Sequence, residues 1–436
     1  MSELKIFNNA KWIIACKIAR AMIQLVIGMI SARYLGPSNY GLINYAASLV
    51  AFGLPVMQLG LQSTLVQEYV VTPEREGQIM GTSLVMNLLS AIACMIGVVT
   101  FSAIANRGEP VTIMVCALYS VTLLAQAFEM LQYWFQARLL SKYSSLAMLT
   151  AYVVVSAYKI FLLASGKSVY WFALSHAVEY GVVGLLLVIS YNRQGTQKMS
   201  VSLPLAKEML SKSKHYIAAM LMVVVYGQVG TVLLKLLISE AESGFYSAAL
   251  TCTSITGFVF MAVIDTVRPV ILESRMQSFA TFEKNVSRVY SIIIWLSLAQ
   301  SVFFTLFAKL IIRILYGEAY MAAVPVLQIM IWNSAFSYMG YIRNIWILAE
   351  EQHKVLFTIN ASGAAFGVIA NALFIPLWGA CGAAFASVLV QIFTNFIMGF
   401  ILKSIRPNNK LLLKGFNPRL IIELCSIIMR TLKVKN

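Results

Sequence analysis

The side chains able to do chemistry in this 436-residue chain are few, and many of them lie inside long apolar runs. A charge in the middle of such a run costs about 2.5–3.5 kcal/mol on membrane-insertion scales, so each needs a partner, a watery cavity or a ligand. Lys17, Arg20 and Gln24 follow one another at i, i+3 and i+7, and Gly28 and Ser31 continue the line, giving one helical stripe of polar and small residues. Arg20 is the deepest of them. Its planar guanidinium suits two-pronged contact with phosphate, and the structural alternative is a helix–helix contact. Lys17 is shallower and can snorkel. Lys159, His176 and Glu179 form a second group on two successive runs. Lys159 and Glu179 can neutralise one another; alternatively Glu179 and His176 make a proton- or cation-responsive element, with Glu129 as a further candidate for ion coupling. Arg343 is deep enough to favour an anionic ligand, whereas Glu129 can also be read as interfacial. Lys235 and Lys309 lie near run ends, where snorkelling suffices. Bases outnumber the acids Glu129 and Glu179 inside the runs, so a cavity they line attracts an anion such as a diphosphate. Arg20, Lys17, Gln24, Lys159 and Arg343 are its candidate contacts. Tyr152, Tyr158, Trp171, Tyr226, Tyr338 and Tyr341 can stack on sugar rings or mark membrane interfaces.

The elements that carry these residues follow from composition. Hydrophobic residues make up 60% of the chain, charged residues 11%, and mean hydropathy is +0.79. A soluble domain carries about 25% charged residues, so this chain needs lipid as its solvent. Spans of membrane-crossing length are expected at 12–31, 42–60, 79–104, 111–131, 146–164, 170–191, 216–238, 245–264, 291–313, 324–349, 356–375 and 379–402. The fold class is therefore all-α, a polytopic membrane protein of about 12 helices. The first run leads into Arg33-Tyr34-Leu35-Gly36 rather than a small-residue cleavage site, and reads as a retained helix. Leu420 to Met429, interrupted by Glu423 and flanked by Arg419 and Arg430, reads as an interfacial helix.

With the N-terminus in the cytoplasm, only Arg33, Arg107, Lys167 and Arg313 of the basic loop residues fall outside, which sets both termini as cytoplasmic. This asymmetry accounts for the net charge of +16 without nucleic acid, helped by attraction to anionic membrane lipids. The six cysteines, Cys16, Cys94, Cys116, Cys252, Cys381 and Cys425, are scattered singly, so neither a disulfide framework nor a metal or cofactor site is expected. External connections are short, and Glu240 and Glu242 are the only external acidic pair. That argues against an integral-membrane glycosyltransferase or polymerase.

The two halves echo one another weakly. Tyr40 to Ala47 echoes Gly244 to Ala249, with Gly41 and Gly244 as the aligned glycines, and Tyr133 to Arg138 with Lys142 echoes Ile345 to Glu350 with Lys354. Equal numbers of spans flank residues 192–215. The pattern predicts parallel repeats: an N-terminal lobe 1–191, a cytoplasmic linker 192–215, a C-terminal lobe 216–403 around a shared central cavity, and a basic tail 404–436.

Ala32-Arg33-Tyr34-Leu35-Gly36-Pro37-Ser38-Asn39-Tyr40-Gly41 resembles the first loop of the polysaccharide transporter family, the O-antigen (Wzx-type) flippases of the multidrug/oligosaccharidyl-lipid/polysaccharide (MOP) exporter superfamily. Ser243 to Ala249, Leu315 to Tyr320 and Pro376 to Ala384 are similar to second-half patterns of that family. The resemblance runs from about residue 10 to 403. It implies a flippase, not an enzyme, that moves an undecaprenyl-diphosphate-linked oligosaccharide from the cytoplasmic to the periplasmic leaflet of the bacterial inner membrane. It also implies a cationic cavity, coupling to a H+ or Na+ gradient, and a polysaccharide polymerase and chain-length regulator as partners in lipopolysaccharide assembly. The rival within the superfamily is a MATE-like small-molecule antiporter, which would favour acidic cavity residues for cationic drugs.

Overall fold

The computed structural model describes residues 3–195 and 197–420, with side chains from Cys16 onward apart from Lys17, Ser63 and His353. Cys425 and most of the expected interfacial helix lie outside the described residues. The helices in chain order are α1 Glu3–Met57, α2 Leu65–Val71, α3 Glu76–Ala105, α4 Pro110–Gln126, α5 Leu131–Ala137, α6 Ser141–Ala164, α7 Val169–Gln194, α8 Leu203–Leu237, α9 Glu240–Ser254, α10 Gly257–Gln277, α11 Phe279–Tyr316, α12 Ala323–Ala349, α13 His353–Ile392, α14 Met398–Ile401 and α15 Arg406–Gly415. No strand occurs among the described residues. In lipid every backbone donor and acceptor must be met within the segment, and runs this apolar meet that condition as helices.

Two of the helices are each two spans joined at a single residue. In α1 the break is Gly36, at φ 70° and ψ 170°, followed directly by Pro37; in α13 it is Gly379, at φ 55° and ψ −132°. Glycine tolerates those positive φ values, and a proline placed at the start of the second segment needs no donor. Helices α9 and α10 are bent by 41° across their short break. With the two kinked helices divided, that bent pair counted once and Ala323–Ala349 included, the helices are consistent with twelve crossings of a multi-pass membrane protein. Two segments expected as connections are largely helical. Residues 265–290 are the end of α10 and the start of α11, separated at Ser278, and residues 203–215 are the first turns of α8.

The chain divides into two compact units, Met1–Gly244 and Phe245–Asn436. Helix α8, which the sequence places at the head of the second lobe, packs in the first unit. Ser48 Oγ on α1 donates to Gln228 Oε1 on α8 at 2.9 Å. Residues 197–202 run along the start of α3. The Gln197 side chain accepts from Gly77 N and donates to the Pro73 carbonyl, Ser200 N donates to the Gly77 carbonyl, and Ser202 N donates to Thr82 Oγ1.

One core of the first unit gathers Tyr45, Leu123 and Phe172; another gathers Met80, Trp134, Phe135 and Tyr191. The second unit packs around Tyr290, Ile294, Ile342 and Trp346.

Candidate functional site: a charged cluster inside the first unit

Four elements of the first unit bring the interior charges together. Arg20 comes from α1, Glu129 from the tight turn Ala127–Met130 after α4, Tyr152 and Lys159 from α6, and His176, Glu179 and Tyr180 from α7. Arg20 Nη2 donates to Glu179 Oε1 at 2.7 Å, and the two side chains are 29% and 4% exposed. The guanidinium also lies over the Tyr152 ring, 5.5 Å from its centroid. Arg20 Nε has no hydrogen-bond partner although it is buried. Arg20 also hydrogen-bonds the Tyr180 side chain, so carboxylate, phenol and ring face hold this arginine while its Nε keeps a donor to spare.

Glu179, expected to meet Lys159 or His176, instead has Arg20 as its near counter-ion. His176 Nδ1 stands 3.9 Å from Glu179 Oε2, beyond hydrogen-bond length, and its ring tilts against Tyr119 at 4.9 Å. Lys159 is close enough for its charge to act on both His176 and Glu179. Glu129 accepts a hydrogen bond from Gln126 Nε2 at 3.3 Å and lies within electrostatic reach of Arg20 and Glu179. Gln24 is exposed on α1. The side chain of Lys17 lies outside the described residues.

Arg343 belongs to the second unit and meets different chemistry. It is 5% exposed. Nη1 donates at 2.5 Å to the Thr394 carbonyl, inside the π-helical turn Phe393–Ile397, and Nη2 donates to Asn344 Oδ1 at 3.0 Å. A π turn displaces carbonyls from the regular helical ladder, and Arg343 supplies a charged donor to one of them.

Of two further buried charges, one was expected to snorkel and the other was not singled out by the sequence. Lys235 of α8 does not snorkel. It is 5% exposed and its ammonium is bonded to Asn106 Oδ1 at 2.5 Å and to Glu109, over the Tyr45 ring. The Lys235 ammonium beside Glu109 holds that carboxyl below the usual glutamate range. Glu76, at the start of α3, is buried and accepts from Trp134 Nε1 at 3.0 Å and Arg138 Nη2 at 2.5 Å. Arg138 lies in the repeated motif, which was the available signal; nothing in the spacing pointed to Glu76. Among the described residues no group of three His, Cys, Asp or Glu side chains is placed to hold a metal ion.

Residues 6–277 match the family described as polysaccharide biosynthesis protein. No curated protein sequence matches the chain significantly. The solved structure of lipid II flippase MurJ in an inward closed conformation superposes with a TM-score of 0.72 at 13% identity, over 95% of this chain and 93% of that one. An inward-facing multidrug resistance MATE family transporter of the MOP superfamily superposes at 0.63 and 15% identity, over 91% and 99%. The Vibrio cholerae MATE transporter VcmN, in mutant form, gives 0.62 at 11%, over 94% and 100%. At such identities the likeness is one of fold, and the fold is that of multi-pass membrane transporters.

Proposed function

This chain belongs to the polysaccharide biosynthesis protein family, and from that premise we propose that it flips an undecaprenyl-diphosphate-linked oligosaccharide across the bacterial inner membrane. Movement runs from the cytoplasmic to the periplasmic leaflet by alternating access and is coupled to a H+ or Na+ gradient. The observation that carries the reading is the Arg20–Glu179 pair, a cation and an anion set against one another inside a membrane-buried bundle. The fold likeness to a lipid II flippase supports the choice of a lipid-linked cargo.

The chemistry follows from competition for one guanidinium. A diphosphate carries more negative charge than a carboxylate and offers oxygens in the spacing a guanidinium fork accepts. When it takes Arg20, Glu179 loses its counter-charge in a low-dielectric site, and a proton or sodium ion can supply the replacement. Glu129 and His176 stand beside this exchange and shape its field. Lys159 and the exposed Gln24 extend the polar lining for the cargo in this reading, and Lys17 continues the same stripe. Arg343, already bonded to the Thr394 carbonyl, acts by holding the π turn of the second unit.

The test uses Arg20→Ala and Arg20→Lys in a flippase-null strain, with membrane levels matched and surface polysaccharide measured. Loss with Ala, partial rescue with Lys, and accumulation of lipid-linked intermediate are expected. In vesicles with an imposed gradient, Glu179→Gln should transport without gradient dependence. Full restoration by Arg20→Ala, or export of a cationic dye with no effect on polysaccharide, would move the chain to the small-molecule antiporters.

A further inference from the structure

Helix α15 follows the last span after only four residues, Leu402 to Ile405, and runs for ten. Its inner face is sealed on the second unit. Asn408, Asn409, Leu411 and Leu412 are 0–1% exposed. Tyr290 OH donates to Asn408 Oδ1 at 2.9 Å, and Asn409 Nδ2 donates to the Phe396 carbonyl at 2.8 Å. At its far end Gly415 backs directly onto Tyr290, Ser291 and Ile294 of α11. Those three residues mark the boundary of the span expected at 291–313. Both ends of α15 are therefore held at membrane-boundary depth on the same side, and a helix of about 15 Å pinned at both ends lies along the membrane face.

The outer face is basic. Arg406, Lys410 and Lys414 recur along it, Lys403 stands in the turn just before it, all four are exposed, and no Asp or Glu occurs from His353 through Leu420. Beside them stand the exposed apolar side chains Leu413, between Lys410 and Lys414, and Phe416, just past the helix end, at 47% and 39%. Cations alone would suit any acidic surface. Cations interleaved with apolar side chains, on a helix parallel to the bilayer, suit the headgroup layer, where the charge meets phosphate and the apolar side chain reaches the acyl boundary. We propose that α15 is a docking strap for anionic phospholipid headgroups, fixing the end of the second unit to the membrane face beside α14. This goes beyond the transport reading and stands without it.

The experiment places a bimane label on Leu413→Cys in the full-length chain with its native cysteines replaced. The chain is reconstituted in phosphatidylcholine vesicles with or without about 30% phosphatidylglycerol, and quenching by a headgroup-borne nitroxide is read. Quenching should be at least about twofold stronger in the anionic vesicles, and Lys403→Gln/Lys410→Gln/Lys414→Gln should abolish the difference. Arg406 is left in place because its Nε also bonds the Phe400 carbonyl. The three lysines are exposed, so unchanged thermal unfolding in detergent is the control for folding. Equal quenching in both vesicle types, or a full difference retained by the triple variant, overturns the proposal; a label quenched only by water-soluble agents in both would point instead to a soluble acidic partner and overturn it equally.

Discussion

At the scale of single residues, depth and sign in the sequence mark the interior charges but do not name their partners. Arg20 and Glu179 were both legible as costly groups inside apolar runs. Helical rise gives depth, but it does not say which way a side chain turns, and the pairing of Glu179 with Arg20 rather than Lys159 depends on the rotation of α7 against α1 and α6. Lys235 shows the same limit. Its position two residues from the end of α8 suggested snorkelling, yet Glu109 and Asn106, on the turn before α4, reach over it and close it off. That arrangement has a pH signature. Because the Lys235 ammonium lowers the Glu109 pKa, the ionised carboxyl stabilises the fold. The contribution is complete above the ordinary glutamate range and is lost as pH falls through the lowered value, that is, below about pH 4.5. Glu109→Gln should cost on the order of 1 kcal/mol at neutral pH, a modest figure because the carboxylate is nearly half exposed. Thermal unfolding of wild type should fall towards that of the variant as pH drops below the ordinary glutamate range; parallel curves there would remove the ion pair from the account.

At the scale of elements, apolar run length predicted where helices lie far better than where they stop. The expected span 324–349 and α12 at Ala323–Ala349 agree almost residue for residue. By contrast, 12–31 and 42–60 are one helix broken at Gly36, because a single positive-φ residue followed by proline can turn the chain without leaving helical hydrogen bonding for long. The motif glycines explain themselves in packing. A Cβ on Gly41 would overlap the Glu240 carbonyl, and a Cβ on Gly244 would overlap the Pro37 carbonyl, so the two glycines placed in register by the repeat let the same pair of backbones cross in near contact. Gly41→Ala should therefore cost about 1–3 kcal/mol or more through overpacking against unyielding backbone. Gly28→Ala is the matched control, since nothing lies within 4 Å of its added Cβ. There alanine should be neutral or stabilise the helix by up to about 1 kcal/mol. Thermal unfolding of the two variants in detergent decides it, and equal effects would refute the crossing argument.

At the scale of the whole molecule, about twelve membrane crossings and a transporter fold were readable from hydropathy and motif, because lipid leaves few alternatives to the helix. Where the chain parts into compact units was harder to read. Equal span counts suggested a joint at 192–215, but residues 197–202 are fixed along α3 by backbone and side-chain hydrogen bonds and α8 seats itself in the first unit. Hydropathy counts crossings and is silent on which neighbours a crossing chooses. A gene severed between the codons for Ile238 and Ser239, with both pieces expressed together, should yield a protease-resistant first fragment in the membrane. Severing near residue 200 should leave that fragment degradable. The tethered segment beside α3 is thus less a hinge than a hem, and tags, cleavage sites or fused reporters inserted there would unpick the first unit instead of separating two independent halves.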